Sequence, residues 1–180
     1  MTLGPASSGT PPLTPEGEAF RRAMRHLPTG VAVLTTRGPG GPHGMTVNSV
    51  LSVSLAPPTL LVAVGHRTRT HGLLARADSY TVNVLGADQG DLADRFARSR
   101  PEGEAEFEGL AWTPSPVTGN PVLAGSVVAV DCRIGERVRV ADHTLFLGAV
   151  RHVRSAPDGT GCPLVFVHRA YRRVATEPAA

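Results

Sequence analysis

Apolar residues fall into short blocks, and the spacing inside the blocks changes along the chain. Ala19, Phe20, Ala23, Met24 and Leu27 recur every three or four residues, the period of one helix face. Thr14-Pro15-Glu16 reads as the start of that helix: threonine can cap, proline suits the first helical position, and an acid suits the first turn. Pro28 ends it. After that the pattern is β. Residues 31–36, 45–55, 59–64 and 80–85 are rich in Val, Leu and Thr, and Gly/Pro clusters at 37–44 and 56–58 separate them. The 37–44 cluster reads as a hairpin connection. A second β block covers 126–140, 143–155 and 163–168. Two short helices interrupt the strands. One spans 70–77. The other spans 88–99, with Asp88 as its cap and Leu92, Ala93, Phe96 and Ala97 on one side. Residues 100–123 read as irregular, with a solvated acidic loop at 102–108.

Many short strands and few helices predict a mainly β domain, a closed or nearly closed antiparallel barrel rather than alternating βαβ units. A barrel in 180 residues leaves little interior room, so a ligand is expected on the rim or between subunits. Residues 1–13, rich in Gly, Pro, Ser and Thr, are expected to be a flexible tail, 14–174 the single domain, and 175–180 a C-terminal tail.

Composition narrows the class. The chain is 41% hydrophobic and 18% charged, a globular balance. No apolar run approaches the ~18 residues of a membrane helix. The N-terminus has neither a basic start nor an apolar stretch, so it does not read as a secretory signal, and a cytoplasmic location is expected. All 18 basic residues are Arg, the net charge is +3, and the arginines are scattered. With aromatics at 4%, neither a basic stripe nor a stacking platform for nucleic acid is present, and such a partner is not expected. Cys132 and Cys162, without a CxxC, read as two reduced thiols.

Dinucleotide, P-loop, nucleophile-elbow and zincin motifs are absent. Three segments carry candidate chemistry. His66-Arg67-Thr68-Arg69-Thr70 stands between an apolar strand and a short helix. Its hydroxyls and guanidiniums suit a phosphate, and they equally suit a plain capped helix with solvated arginines. Thr46-Val47-Asn48-Ser49 puts small polar groups beside strand backbone, fit for the edge of a flat heteroaromatic ring or for an ordinary polar face. His143, after Asp142, opens a strand and is either oriented for function or structural. His66 and His71, five apart and without a third ligand, do not read as a metal site.

In order along the chain, the segments 20–36, 44–64, 67–74, 80–85, 91–97, 107–112, 141–150 and 163–171 resemble the flavin reductase family. Its members have the FMN-binding split-barrel fold and are reductase partners of two-component flavin-dependent monooxygenases. The resemblance implies an antiparallel split β-barrel of Greek-key type with a few short helices. It implies hydride transfer from NADH or NADPH to FMN, with FAD or riboflavin open as alternatives, and a homodimer that supplies reduced flavin to a separate monooxygenase. A flavin-holding barrel without hydride transfer is the competing reading. By motif, Thr46, Val47, Asn48 and Ser49 match the stretch along the flavin ring, and Thr29 matches a motif near its edge. Arg67, Thr68, Arg69 and Thr70 match the phosphate stretch. His143 and Tyr171 match positions on the nicotinamide side, with Ala141 where the family has Gly. No catalytic acid or base is implied, because the two cofactors supply the reactivity.

Overall fold

The computed structural model describes residues 12–98, 106–155 and 161–175. Of the tails expected at 1–13 and 175–180, residues 1–11 and 176–180 lie outside them. Helix α1, Pro15–Met24, begins where the sequence predicts: Thr14 Oγ1 accepts from the Gly17 N–H at 3.2 Å. Its apolar face is not buried, and Phe20, Met24 and Leu27 are exposed.

Strands β1 (Thr29–Gly30), β2 (Ala32–Gly38), β3 (Gly41–Val47), β4 (Val50–Leu55) and β5 (Pro58–Gly65) follow. The predicted strand 45–55 is two strands, broken at Asn48-Ser49. The predicted connection at 37–44 is mostly strand, with Pro39-Gly40 alone as its loop. Helix α2 (Arg69–Leu74), strand β6 (Ser79–Val84) and helix α3 (Gly90–Ala97) come next. Asp88 does not cap α3. Gln89 stands at the N-cap without a capping bond, and its amide instead joins the Gly86 N–H to the Ala124 carbonyl. The stretch expected to be irregular contains a hairpin of β7 (Trp112–Pro114) and β8 (Pro121–Leu123). The long strands β9 (Val128–Val140) and β10 (His143–Ser155) follow. Then β11 (Leu164–Val167) and β12 (Ala170–Arg173) form a hairpin where one strand was predicted.

Seven strands pair antiparallel in the order β3-β2-β6-β9-β10-β5-β4. Its two edges, β3 and β4, are joined by only Asn48 and Ser49. Three Cα steps reach at most ~11 Å, so the sheet must curl until its edges come close at that point. This is the split barrel. Two register shifts help the long strands bend: Gly135 on β9 and Arg151 on β10 are each skipped in the pairing.

Strand β2 is buried on both faces, which explains its unbroken apolar run. One core, with Leu34, Val62, Val64, Leu74, Tyr80 and Phe146, lies on one side of it. The other, with Val31, Val33, Leu85, Phe96, Phe107 and Leu164, lies under α3 and the small hairpins. Buried Asp131 ties the β7–β8 hairpin to the sheet by accepting from Thr81, from Ser115 at 2.7 Å and from Thr118 at 3.1 Å. Burial pushes the Cys132 thiol up to about 12, so this cysteine is an inert core residue.

Candidate active site

The break at Asn48-Ser49 positions the first group of predicted ligands. Gly44 on β3 leaves room for the Phe96 ring of α3, since a Cβ there would lie 2.5 Å from it. Thr46 then donates to the Ala93 carbonyl at 2.6 Å, and Val47 is buried in the core. Asn48 Nδ2 donates to Thr29 Oγ1 at 3.2 Å, and Ser49 Oγ donates to the Ala63 carbonyl at 2.8 Å. These side chains hold the segment in place. Because β3 is an edge strand, its outer main-chain groups pair with no further strand of that sheet.

The second group sits at the start of α2. Thr68 Oγ1 accepts from the His71 N–H at 3.1 Å and donates to the Gly65 carbonyl at 2.9 Å, so its hydroxyl fixes the turn. Thr70 is 2% exposed, and its Oγ1 lies 2.8 Å from His43 Nε2. His43 Nδ1 lies 2.8 and 3.0 Å from the two Glu106 carboxylate oxygens, and Glu106 also accepts from the Gly44 N–H at 3.1 Å. Arg69 stands 3.6 Å from the same carboxylate. Burial alone would raise the Glu106 pKa. The hydrogen bonds from His43 and Gly44 and the charges of His43 and Arg69 outweigh it and hold the carboxyl below its ordinary value.

A cleft of about 480 Å³ runs between β3 and these helices, lined by Thr46 and by Arg67 to Thr70. Among the described residues, Arg67, Arg69, Arg95, Arg98 and the Glu106 carboxylate line it, an excess of positive charge that favours an anion. Arg95 also binds the Glu106 and Glu108 carbonyls at 3.0 and 2.7 Å, which fixes the wall that carries Glu106. The sequence reading of 102–108 as a solvated loop therefore fails at Glu106, whose side chain is only 9% exposed; residues 102–105 lie outside the described ones. No local pattern marks Glu106, because its partners come from β3 and α2.

Thr29, Asn48 and Ser49 border a second cleft of about 390 Å³, with Arg21, Arg25 and the β11–β12 hairpin tip. That tip, His168-Arg169, has φ of 51° and 62°. Two positive φ values in a two-residue loop are those of a type I′ turn, which side-chain-bearing residues adopt with strain. The predicted flavin ligands thus divide between two neighbouring clefts, with Val47 buried between them.

The two residues expected on the nicotinamide side, His143 and Tyr171, border neither cleft and sit in different sheets. His143 opens β10, half exposed, with Nδ1 2.7 Å from Asp142 Oδ1. That hydrogen bond and the imidazole charge lower the Asp142 pKa. Tyr171 on β12 packs on Phe166 at 5.6 Å between ring centres; burial and then the neighbouring Asp94 carboxylate raise its pKa. His66 and His71 meet despite their spacing. Their rings are 4.8 Å apart, and they share the Thr144 hydroxyl at 3.1 and 2.9 Å, because α2 turns back over the end of β5.

The profile of the flavin reductase like domain matches residues 24–175. The NADH-dependent FMN reductase AsuE2 of Streptomyces nodosus subsp. asukaensis is 40% identical over 153 residues, covering 84% of this chain and 82% of that protein. Among solved structures, the NADH:FAD oxidoreductase SgcE6 of Streptomyces globisporus C-1027 superposes with a TM-score of 0.85 at 34% identity, over 94% of this chain and 100% of that one. The styrene monooxygenase flavin reductase SMOB of Pseudomonas putida S12 superposes with a TM-score of 0.76 at 33% identity, over 88% and 99% of the two chains.

Proposed function

This chain belongs to the flavin reductase like family, and from that premise we propose that it is an NADH-dependent flavin reductase supplying reduced flavin to a separate monooxygenase. The observation that carries the reading is the first cleft. Its volume suits a cofactor-sized ligand, and among the described residues its walls carry more guanidinium than carboxylate where the sequence motif for a phosphate falls. FMN and FAD share the phosphate next to the ribityl chain, so one grip serves both; AsuE2 is named for FMN and SgcE6 for FAD.

When bound, the nicotinamide and the flavin supply the reactivity between them as hydride passes from one to the other. The chain holds and orients. Arg67 and Arg69 would hold the phosphate electrostatically, and the Thr68 hydroxyl keeps their segment in one conformation. The edge backbone of 46–49 would position the ring, with the segment held by the bond from Asn48 to Thr29. His143, oriented by Asp142, serves the nicotinamide side, and Tyr171 stiffens the wall beside the second cleft through Phe166.

A second copy of the chain completes the molecule in this reading. Leu51, Val53 and Leu55 on the edge strand β4 are 59%, 47% and 86% exposed, and Phe20 on α1 is 65% exposed. So much large apolar surface marks an interface.

The test is NADH oxidation followed at 340 nm with FMN, FAD and riboflavin in turn. Turnover with at least one flavin is expected, and none with any of the three overturns the reading.

A further inference from the structure

Thr70 has its hydroxyl committed before any ligand arrives. Glu106 can only accept, so the proton on His43 sits on Nδ1, which faces that carboxylate. In the neutral ring Nε2 is then an acceptor, and Thr70 donates to it across 2.8 Å. Thr70 therefore turns lone pairs toward the cleft it lines. A phosphate oxygen is also an acceptor, so that contact is repulsive. A proton on Nε2 reverses the polarity: the imidazolium donates to Thr70 Oγ1, and the hydroxyl proton is released toward the cleft.

We propose, on the reading that a flavin phosphate enters this cleft, that His43 held by Glu106 is a positioning residue that takes up one proton as the phosphate binds and turns Thr70 from acceptor to donor. One bond is made, between Nε2 and a proton from solvent. The Thr70 O–H bond stays intact and swings from Nε2 to a phosphate oxygen. The ligand dianion and one proton enter; nothing leaves.

The surroundings favour this. His43 is 6% exposed and lies between β3 and α2, so water does not replace either partner cheaply. Among the described residues, the charged groups that line the cleft with the pair are Glu106, Arg69 beside it on α2, Arg67 before α2, and Arg95 and Arg98 at the end of α3. Arginine keeps its charge over the whole working range, so none of these titrates in place of the imidazole. Glu106 stays ionised, and a buried carboxylate against Nδ1 stabilises the imidazolium once phosphate calls for it.

The experiment compares FMN with riboflavin, which lacks the phosphate, on the full chain. Between about pH 7 and 9, above the phosphate's second ionisation near 6, the ratio of FMN to riboflavin affinity is expected to fall with rising pH. The limit is about tenfold per unit for one proton. Calorimetry in two buffers of different ionisation enthalpy is expected to show about one more proton taken up with FMN than with riboflavin. In His43→Gln the amide N–H donates to Thr70 at every pH, so the preference for FMN persists and its pH slope vanishes. In Glu106→Gln the amide donates to Nδ1, the ring proton moves to Nε2, and the slope vanishes too.

A wild-type preference for FMN without a pH slope or extra proton overturns the switch and leaves the phosphate site standing. So does a slope that survives both substitutions. Equal binding of FMN and riboflavin by the wild type removes the phosphate site and the switch with it. The wild-type proton count decides the matter even if one variant does not fold.

Discussion

Ala141 occupies the left-handed region with φ of 49°, at the tip of the β9–β10 hairpin. A residue with a Cβ gives up about 1–2 kcal/mol there, while glycine gives up about 0.5–1 kcal/mol in unfolded-state entropy. Ala141→Gly is therefore expected to stabilise by about 0.5 kcal/mol, a rise in Tm of about 1–2 °C. Differential scanning calorimetry checks it, and a fall in Tm would show that the turn is not strained. The next two residues carry the contact proposed for the nicotinamide side. Because Asp142 orients His143 from an exposed turn, His143→Ala should raise the KM for NADH or lower turnover several-fold, with flavin affinity unchanged. Steady-state kinetics beside a flavin titration separates the two. An unaltered NADH response would make His143 a structural residue.

At the scale of elements, one tight junction joins β5, β6, β9 and β10. The Tyr80 hydroxyl donates to the Leu60 and Phe146 carbonyls at 3.0 and 3.3 Å, and Gly148 makes room for it. A Cβ at Gly148 would lie 2.6 Å from both the Tyr80 hydroxyl and the Cys132 Cβ. Neither neighbour can yield, since both are fully buried. Gly148→Ala is expected to cost about 1–3 kcal/mol, at about 2–4 °C in Tm per kcal/mol. An unchanged Tm would mean the barrel relaxes there freely. Strand boundaries were legible where alternation met a turn signal, as at 143–155. They were not legible at Asn48-Ser49, where polar residues continue the strand composition on both sides. The break there comes from the curl of the sheet, which needs the chain to leave one edge and join the other.

For the whole molecule, the exposed apolar residues of β4 and α1 are the surface on which the proposed dimer rests. Burying a leucine side chain contributes about 1.5–3 kcal/mol, so several of them suffice to hold a dimer. Leu51→Glu with Leu55→Glu places charges on that face and is expected to give a monomer by analytical ultracentrifugation, while the unaltered chain sediments as a dimer. A monomeric wild type would assign these residues another role. The amphipathic period of α1 was read correctly as a helix, yet the face it predicts as buried is open within one chain. Periodicity reports that a face avoids water. It does not report whether the cover comes from the same chain.

By itself the sequence determined the β-rich class, the capped start of α1, and the two segments, 46–49 and 67–70, that border the clefts. Propensity, capping and motif are local, and they act through residues near in the chain. Tertiary structure alone decided that Glu106 from an acidic stretch would lock His43 onto Thr70, and that the predicted flavin ligands would divide between two clefts. Those outcomes depend on which strands become edges and on which distant side chains burial forces to share their hydrogen bonds, and no spacing along the chain encodes either.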